Sequence, residues 1–481
     1  ITFLGVTIIN VLSAKEKWTY AIGNIPFSVK DTAFANFVIF YYTQVQGLSG
    51  TLAGLAMFIA LLWDAVTDPV VGSWSDNFRS RWGRRHPLLL AGGVPTAFMF
   101  LALFAPPASL GETGMFVWFL GVSILLRTFL TIYFIPYTAM GAELSTDYDE
   151  RTIIAKARIS MGWLAGMALP AIAFALFFGA KDGVDGRLVA ANYWNYGVLS
   201  ALVAGIAAMV CIVGTRSVIP RLATASKQQK FSWRDPLDDL KLAFKNRNFR
   251  ISMGANLAFG MSTGVYGTLS LYLGTYFWEF SAEQLAGMVI PTAIATLTAF
   301  LVLNQLGQRF DKPKLLVGFS LILALNGLWL IGARLLDVLP ENGHSIIYPL
   351  LLLNVGISIF VIVGMLVVAS SLAADIIDEQ ELENGKRQEG TVFAAGAFVA
   401  KATTGAGALL GGIVIDLTGI KSGSMPGTVD ASILQSLGWF TLVMTAGLAL
   451  VACLFYSRLT LGRKEHGDIR RQIALSKSLT E

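Results

Sequence analysis

Long apolar runs recur along nearly the whole chain, and each is about as long as a helix that crosses a bilayer. Such a helix needs about 20 residues to cross a hydrocarbon core of about 30 Å. The twelve runs lie near 19–45, 50–76, 87–106, 114–143, 153–180, 191–215, 249–279, 284–306, 314–336, 346–377, 390–417 and 432–457. Because backbone polar groups in lipid must be satisfied within their own segment, these runs predict an all-α membrane protein with twelve transmembrane helices.

The composition agrees with the membrane class and removes several others. The 481 residues are 54% hydrophobic and only 14% charged, whereas soluble domains carry roughly 25% charged residues. The two cysteines lie in apolar runs, and the three histidines are scattered without the spacing of metal ligands. There is no phosphate-binding glycine loop and no catalytic constellation. We therefore expect neither an enzyme nor an ATP-driven pump, and no cofactor beyond a coupling ion.

The longest polar stretch, Arg216 to Arg250, divides the chain into two halves of six spans. It predicts four segments, which are an N-terminal six-helix bundle over 1–218, a central loop over 219–247, a C-terminal six-helix bundle over 248–458 and a tail over 459–481.

Positive charge is concentrated in the connections that follow even-numbered spans, which predicts the orientation in the membrane. These connections include Arg79, Arg81, Arg84, Arg85, Arg309, Lys312, Lys314, Lys386 and Arg387. The exceptions are Lys181, Arg187, Arg334 and Lys421. Both termini and the central loop are thus predicted to face the cytoplasm of a plasma membrane, which would be the inner membrane in a bacterium. The formal charge of +5 is then explained by basic loops, so no nucleic-acid partner is expected.

A short polar pattern occurs after span two and again after span eight. The first copy contains Gly72, Asp76 and Arg79, and the second contains Gly307, Asp311 and Lys314. The pattern resembles the cytoplasmic loop signature of the major facilitator superfamily, which implies two bundles that rock about a site near the bilayer midplane.

Charged residues near these loops are candidates for salt bridges that close a cytoplasmic gate. The candidates are Asp76, Arg84, Arg85, Asp375 and Asp378. An ordinary solvated loop is the alternative interpretation of the acidic stretch.

The strongest functional signal is the pair Asp64 and Asp68 within span two. Their i, i+4 spacing places both carboxylates on one helical face. A carboxylate at bilayer depth costs about 2.5–3.5 kcal/mol, and two together cost more unless a cation or proton lies between them. Thr67 adds a hydroxyl oxygen, so the set suits sodium or simple protonation. Lys401 within span eleven needs a carboxylate partner, and a purely structural ion pair is the alternative role.

Several motifs together resemble the glycoside-pentoside-hexuronide:cation symporter family, whose familiar member is the melibiose permease. They are the Tyr-Tyr-Thr segment at 41–43, Trp63 to Pro69, the Ser-Arg-Trp-Gly segment at 80–83, Ile-Pro-Tyr at 135–137, Asp375 to Asp378, and 385–390 leading to Lys401. The resemblance covers nearly the whole chain. It implies that Asp64, Asp68 and Thr131 bind the cation, that Thr67 replaces an asparagine ligand, and that Lys401 lies beside them. Lys401 also counts among the candidate substrate-binding residues.

The resemblance also implies where a sugar would bind, and there the sequence departs from the galactoside carriers. Arg158 matches an arginine near the sugar. The carboxylate of span one becomes Ser28, or Asp31 after a three-residue shift, while Phe134 stands at the span-four carboxylate and Thr138 at a tryptophan position. Loss of a buried carboxylate that accepts two hydroxyls changes specificity strongly.

Three functions remain open from the sequence. The first is a sodium- or proton-coupled symporter of a sugar or glycoside that works as a monomer by alternating access. The second is a sodium-dependent symporter of a lysolipid or other amphiphile. Membrane lipid is an expected partner in both cases. The third is a sensor or scaffold that has lost transport, and it predicts loss of the acidic pair that is present here.

Overall fold

The computed structural model describes residues 12–145, 147–222, 241–385 and 389–478, and this part of the chain is almost entirely helical. The predicted central loop over 219–247 and the tail over 459–481 lie partly outside the described residues. Apart from an isolated bridge between Lys181 and Val184, no β-structure occurs in the described ranges.

The helices of the first half follow the predicted spans, and the first span is broken. The elements are α1 (Ala14–Ile22), α2 (Ile25–Ala33), two π-helical turns (Phe34–Val38 and Tyr41–Val45), α3 (Gly50–Asn77), α4 (His86–Leu103), α5 (Glu112–Glu143), α6 (Tyr148–Leu176) and α7 (Ala190–Gly214). Short 3₁₀ turns span Gly186–Leu188 and Arg216–Arg221. The break in span one follows Gly23 and precedes Pro26, which stands in the first turn of α2, where its missing N–H is tolerated.

The second half has the same order of long helices. The elements are α8 (Arg247–Tyr272), a π-helical turn (Leu273–Phe277), α9 (Ala282–Gly287), α10 (Val289–Arg309), α11 (Lys312–Leu335), α12 (Ile347–Asn384), α13 (Glu389–Thr418), α14 (Ala431–Tyr456) and α15 (Arg463–Ser478). In the described part of the chain, ten helical segments are long and apolar enough to cross a membrane. Spans one and seven fall outside that group. Span one is divided into short helices, and α8 is a continuous helix whose glycine, serine and threonine residues lower its mean hydropathy.

The ends of spans one and seven share a backbone pattern that the sequence analysis missed. In the first, Gln46 N donates to Tyr41 O and Leu48 N donates to Tyr42 O. In the other, the same two bonds join Trp278 to Leu273 and Phe280 to Gly274. Each pattern follows a π-helical turn and encloses one residue with positive φ, Gly47 or Glu279. The two halves therefore share a local design as well as a loop motif.

The chain divides into two compact units, and one point of division falls within helix α3. The first unit comprises the described residues of Ile1–Leu48 and Trp63–Phe231, and the second comprises those of Ser49–Leu62 and Ser232–Glu481. The predicted domain bounds stay a prediction. The start of α3, up to Leu62, belongs to the second unit.

Glycines let the start of α3 pack directly on α13 within the second unit. A Cβ on Gly412 would lie 2.1 Å from the Gly50 carbonyl oxygen, and one on Gly54 would lie 2.7 Å from the Ala408 carbonyl oxygen. The carboxylate of Asp416 accepts hydrogen bonds from the N–H groups of Gly50 and Thr51, at 2.6 and 2.8 Å. A carboxylate at a helix N-terminus is favourable because the first N–H groups have no helical acceptor.

Candidate functional site

The predicted acidic pair faces helix α5 within the first unit. Asp64 is buried, and its Oδ2 atom lies 2.6 Å from Nη1 of Arg127. The side chains of Asp64 and Arg127 are 10% and 2% exposed, so water screens this ion pair poorly. Arg127 is a member of the site that was not predicted from the sequence.

Asp68 lies one turn further along α3, and its Oδ1 atom accepts a hydrogen bond from the Thr131 hydroxyl at 3.0 Å. A third contact lies one residue before Asp64, where the indole N–H of Trp63 donates to the Thr128 hydroxyl at 2.8 Å. The side chains on α3 thus meet successive side chains on α5, since both helices repeat every 3.6 residues. The Asp64–Arg127 and Asp68–Thr131 contacts together are called the α3–α5 site below.

Thr67 makes different contacts from those of the two aspartates. Its hydroxyl is 2.9 Å from the Trp63 carbonyl oxygen and 3.4 Å from the Asp64 carbonyl oxygen, so its proton is donated to its own helix. A lone pair of the hydroxyl remains an acceptor, and its role as a cation ligand stays a prediction.

Arg127 is also held by an aromatic ring. Its guanidinium carbon lies 4.7 Å from the centroid of Phe34, which is in the π-helical turn after α2. Asp64 Oδ1 and Arg127 Nε are buried and have no hydrogen-bond partner among the described residues. The described ranges also contain no group of three or more His, Cys, Asp or Glu side chains arranged to hold a metal ion. The α3–α5 site is therefore a two-carboxylate site with a guanidinium inside it.

The predicted substrate residues of span one lie on α2. Ser28 is buried, and its hydroxyl and the Asn24 amide face Gly162 of α6 closely enough that any Cβ there would clash. Asp31 is half exposed and forms an ion pair with Lys30. Asp31 thus provides a carboxylate whose charge is already balanced.

An aromatic stack joins α2 to α5 next to these polar groups. The rings of Phe27 and Phe134 are stacked with centroids 4.2 Å apart, and the ammonium of Lys30 lies 4.4 Å from the Phe27 centroid. Thr138, one turn after Phe134, donates its hydroxyl proton to the Ile135 carbonyl oxygen at 2.9 Å. Aromatic rings beside hydrogen-bonding groups are typical of small-molecule sites.

Arg158 and Lys401 lie on different units. Arg158 is on α6, where its carbonyl oxygen accepts from the Asn24 amide at 3.1 Å. Lys401 is in the middle of α13 and is partly buried. Their assignment to the substrate stays a prediction.

The predicted gate residues of the first unit form one ionic cluster. Arg85 is 2.8 Å from Asp76 and 2.6 Å from Glu143, and Arg84 is also 2.6 Å from Glu143. The Ser75 hydroxyl accepts a further hydrogen bond from Arg85 at 2.6 Å. Glu143, at the end of α5, was not singled out from the sequence because it is distant from the loop motif along the chain.

The predicted gate residues of the second unit meet a lysine and the C-terminal helix. Asp375 accepts from Lys312 at 2.6 Å, and His466 of α15 lies 3.6 Å from Asp375 and 3.0 Å from Asp378. Helix α15 is also held by Arg463, which donates to the Gly307 carbonyl oxygen at 2.7 Å. The sequence predicted the tail only as a segment that follows the second bundle, and its docking was missed.

Comparison with known proteins places this architecture in a family. The sequence matches the family described as MFS/sugar transport protein over residues 19–463. The isoprimeverose transporter of Lactiplantibacillus pentosus is 23% identical, over 98% of this chain and 94% of its own length. The putative glycoside/cation symporter YagG of Escherichia coli (strain K12) is 26% identical, over 84% of this chain and 82% of its own length.

A solved structure agrees in fold. The inward-open xylose transporter XylE from E. coli superposes with a TM-score of 0.60 at 13% identity, covering 93% of this chain and 96% of that one. The family match covers most of the chain, so the protein is a multi-pass secondary transporter and not an enzyme. The chain belongs to the MFS/sugar transport protein family, among the glycoside-pentoside-hexuronide:cation symporters of the major facilitator superfamily.

Proposed function

We propose that the protein is a symporter that accumulates a sugar or glycoside by coupling its movement to a monovalent cation, either Na⁺ or H⁺. The observation that carries the proposal is the α3–α5 site, in which two carboxylates one turn apart lie within the membrane and are held by a second helix. Intramembrane ionisable groups are costly and mark ion pathways in transporters.

The coupling follows from the energetic cost of charge in the membrane. A cation bound beside the carboxylates of Asp64 and Asp68 offsets part of their negative charge, and this lowers the cost of a state in which they are shielded from water. We therefore expect the carrier to change conformation when the cation and the substrate are both bound or both absent, and not when only one of them is bound.

The proposed cargo rests on the aromatic and polar groups of α2, α5 and α6. The stack of Phe27 and Phe134 offers an apolar surface for a sugar ring, while Ser28 and Asn24 offer hydrogen-bonding groups nearby. Two relatives, an isoprimeverose transporter and a putative glycoside/cation symporter, support a glycoside as the cargo. We place the protein in the plasma membrane as a monomer with both termini in the cytoplasm.

Uptake into proteoliposomes tests the proposal. The purified full chain is reconstituted, and labelled isoprimeverose and lactose are offered under imposed sodium or proton gradients. We expect accumulation above equilibrium under one of these gradients, and loss of accumulation in Asp68→Asn. Accumulation that ignores both gradients would refute the coupling, and transport of lysophosphatidylcholine in place of sugars would assign the amphiphile function instead.

A further inference from the structure

The C-terminal helix α15 is docked on the second unit and carries three positive side chains on its open side. Lys464, Arg470 and Arg471 are all exposed, and together they are called the basic face below. We propose that the basic face binds the head groups of anionic phospholipids, and that this contact holds α15 on the second unit. The proposal does not depend on which cargo or cation the carrier moves.

Contacts along one edge of α15 fix the rotation of the helix about its own axis. His466 lies 3.0 Å from Asp378 on α12. Ile469, about one turn later, packs against the apolar core of the second unit. At the start of α15, Arg463 donates to the Gly307 carbonyl oxygen at 2.7 Å. These contacts define the docked edge of the helix.

The basic face points away from the docked edge. At about 100° per residue, Lys464, Arg470 and Arg471 lie about 140°, 100° and 160° around the helix axis from Ile469. Lys464 and Arg470 make no ion pair within the described part of the chain. Arg471 lies 3.7 Å from Asp468, but the two side chains are 83% and 53% exposed, so this pair is weak. The basic face therefore keeps most of its positive charge for a partner.

The membrane surface is the nearest source of such a partner, because α15 follows directly after a span. Helix α14 ends at Tyr456 and α15 begins at Arg463, so six residues separate the last span from the basic helix. The docked edge also contacts α10 and α12, which are spans eight and ten, close to where each helix ends. These contacts place α15 at the level of the lipid head groups.

The composition of the open side suits a head-group layer better than bulk water. Leu475 comes four residues after Arg471, so it lies on the same side of the helix, and it is 63% exposed. Basic side chains next to an exposed apolar side chain are typical of helices that lie in the interface of a bilayer.

Anionic phospholipid is the partner whose charge complements the basic face. Guanidinium groups form paired hydrogen bonds with phosphate oxygens. Three basic side chains near an anionic bilayer strengthen the attachment of a helix roughly a hundred-fold. A lipid that binds only the docked form of α15 also stabilises that form by mass action.

A fluorophore on the basic face tests the contact directly. It is attached to Ala474→Cys, an exposed position between Arg470 and Arg471 around the helix, in a Cys453→Ser background, since Cys211 is buried. The labelled full chain is placed in phosphatidylcholine nanodiscs that contain phosphatidylglycerol, and a trace of either lipid carries a nitroxide quencher. We expect several-fold stronger quenching by nitroxide phosphatidylglycerol than by nitroxide phosphatidylcholine. Equal quenching by the two lipids, or none by either, would overturn the proposal.

Two variants of the basic face assign the effect to its charges. Lys464→Gln/Arg470→Gln/Arg471→Gln, the neutral variant, should lose the excess quenching by phosphatidylglycerol. Lys464→Arg/Arg470→Lys/Arg471→Lys keeps the charges and should retain the excess. An excess that survives in the neutral variant would overturn the proposal.

A third variant controls for net charge. Lys15→Gln/Arg79→Gln/Lys156→Gln removes three exposed positive charges from the first unit, so its formal charge equals that of the neutral variant. It should keep the excess quenching of the wild type. Loss of the excess in this variant would show that total charge, and not the basic face, attracts the lipid.

Hydrogen exchange tests whether the lipid holds α15 in place. Adding phosphatidylglycerol to the nanodiscs should slow exchange of the α15 amides several-fold in the wild type, because helix opening exposes those amides. The neutral variant should show no such slowing, and added salt should reduce the effect in the wild type. Exchange of α15 that is the same with and without phosphatidylglycerol in the wild type would overturn the holding role.

Discussion

Breaking the Asp64–Arg127 ion pair from one side should be far more damaging than removing both charges together. Arg127→Gln leaves Asp64 as a buried carboxylate without its counter-charge. Removal of one partner of a buried pair typically destabilises a protein by about 3–5 kcal/mol. In Asp64→Asn/Arg127→Gln, both side chains are neutral and of similar size, so the loss should be much smaller. The two single changes should therefore be strongly non-additive, with a coupling of at least about 2 kcal/mol.

The coupling can be measured by unfolding in mixed detergent micelles, with the four members of the cycle compared under identical conditions. Lys314 and Asp311 provide a matched control pair, since they lie 3.7 Å apart with side chains 76% and 35% exposed. An exposed pair is worth about 0–1 kcal/mol, so Lys314→Gln should change the stability little. Additive effects at Asp64 and Arg127, equal in size to those of the control pair, would refute the buried ion pair.

Three further changes have distinct expected results. Thr131→Val removes the hydroxyl bonded to Asp68 and should slow cation-driven accumulation while Thr131→Ser restores it, which uptake assays measure. Gly412→Ala forces a Cβ to within 2.1 Å of the Gly50 carbonyl oxygen and should destabilise by about 1–3 kcal/mol, whereas Gly447→Ala, with open space around it, should not. Phe134→Ala removes the ring stacked on α2 and should weaken sugar-stimulated thermal stabilisation, whereas Phe134→Tyr should preserve it.

The spans were predictable because a membrane imposes a simple length and composition rule on each helix. The break in span one was harder to see, since Gly23, Asn24 and Pro26 are tolerated in membrane helices when neighbouring groups satisfy the backbone. The π-helical turns could not be predicted from the hydrophobic pattern. A π turn adds one residue to a helical turn, and the run of apolar residues around it stays apolar.

The site was predictable in part, for a similar reason. Asp64 and Asp68 stand out because they are acidic residues in an apolar run, and their spacing fixes their common face. Arg127 stands out equally within span four, but its face relative to α3 depends on how two helices pack, which spacing along one helix does not determine. Glu143 and His466 were missed because their partners are distant in the sequence.

The most direct test of the coupling site compares concentrative uptake with exchange in Asp68→Asn. A carrier with a permanently neutral group at this position should still exchange labelled for unlabelled isoprimeverose across the membrane, but it should no longer accumulate sugar when a cation gradient is imposed. Loss of accumulation with exchange retained is the predicted result. Accumulation equal to that of the wild type would contradict a coupling role for Asp68 and, with it, the proposed mechanism.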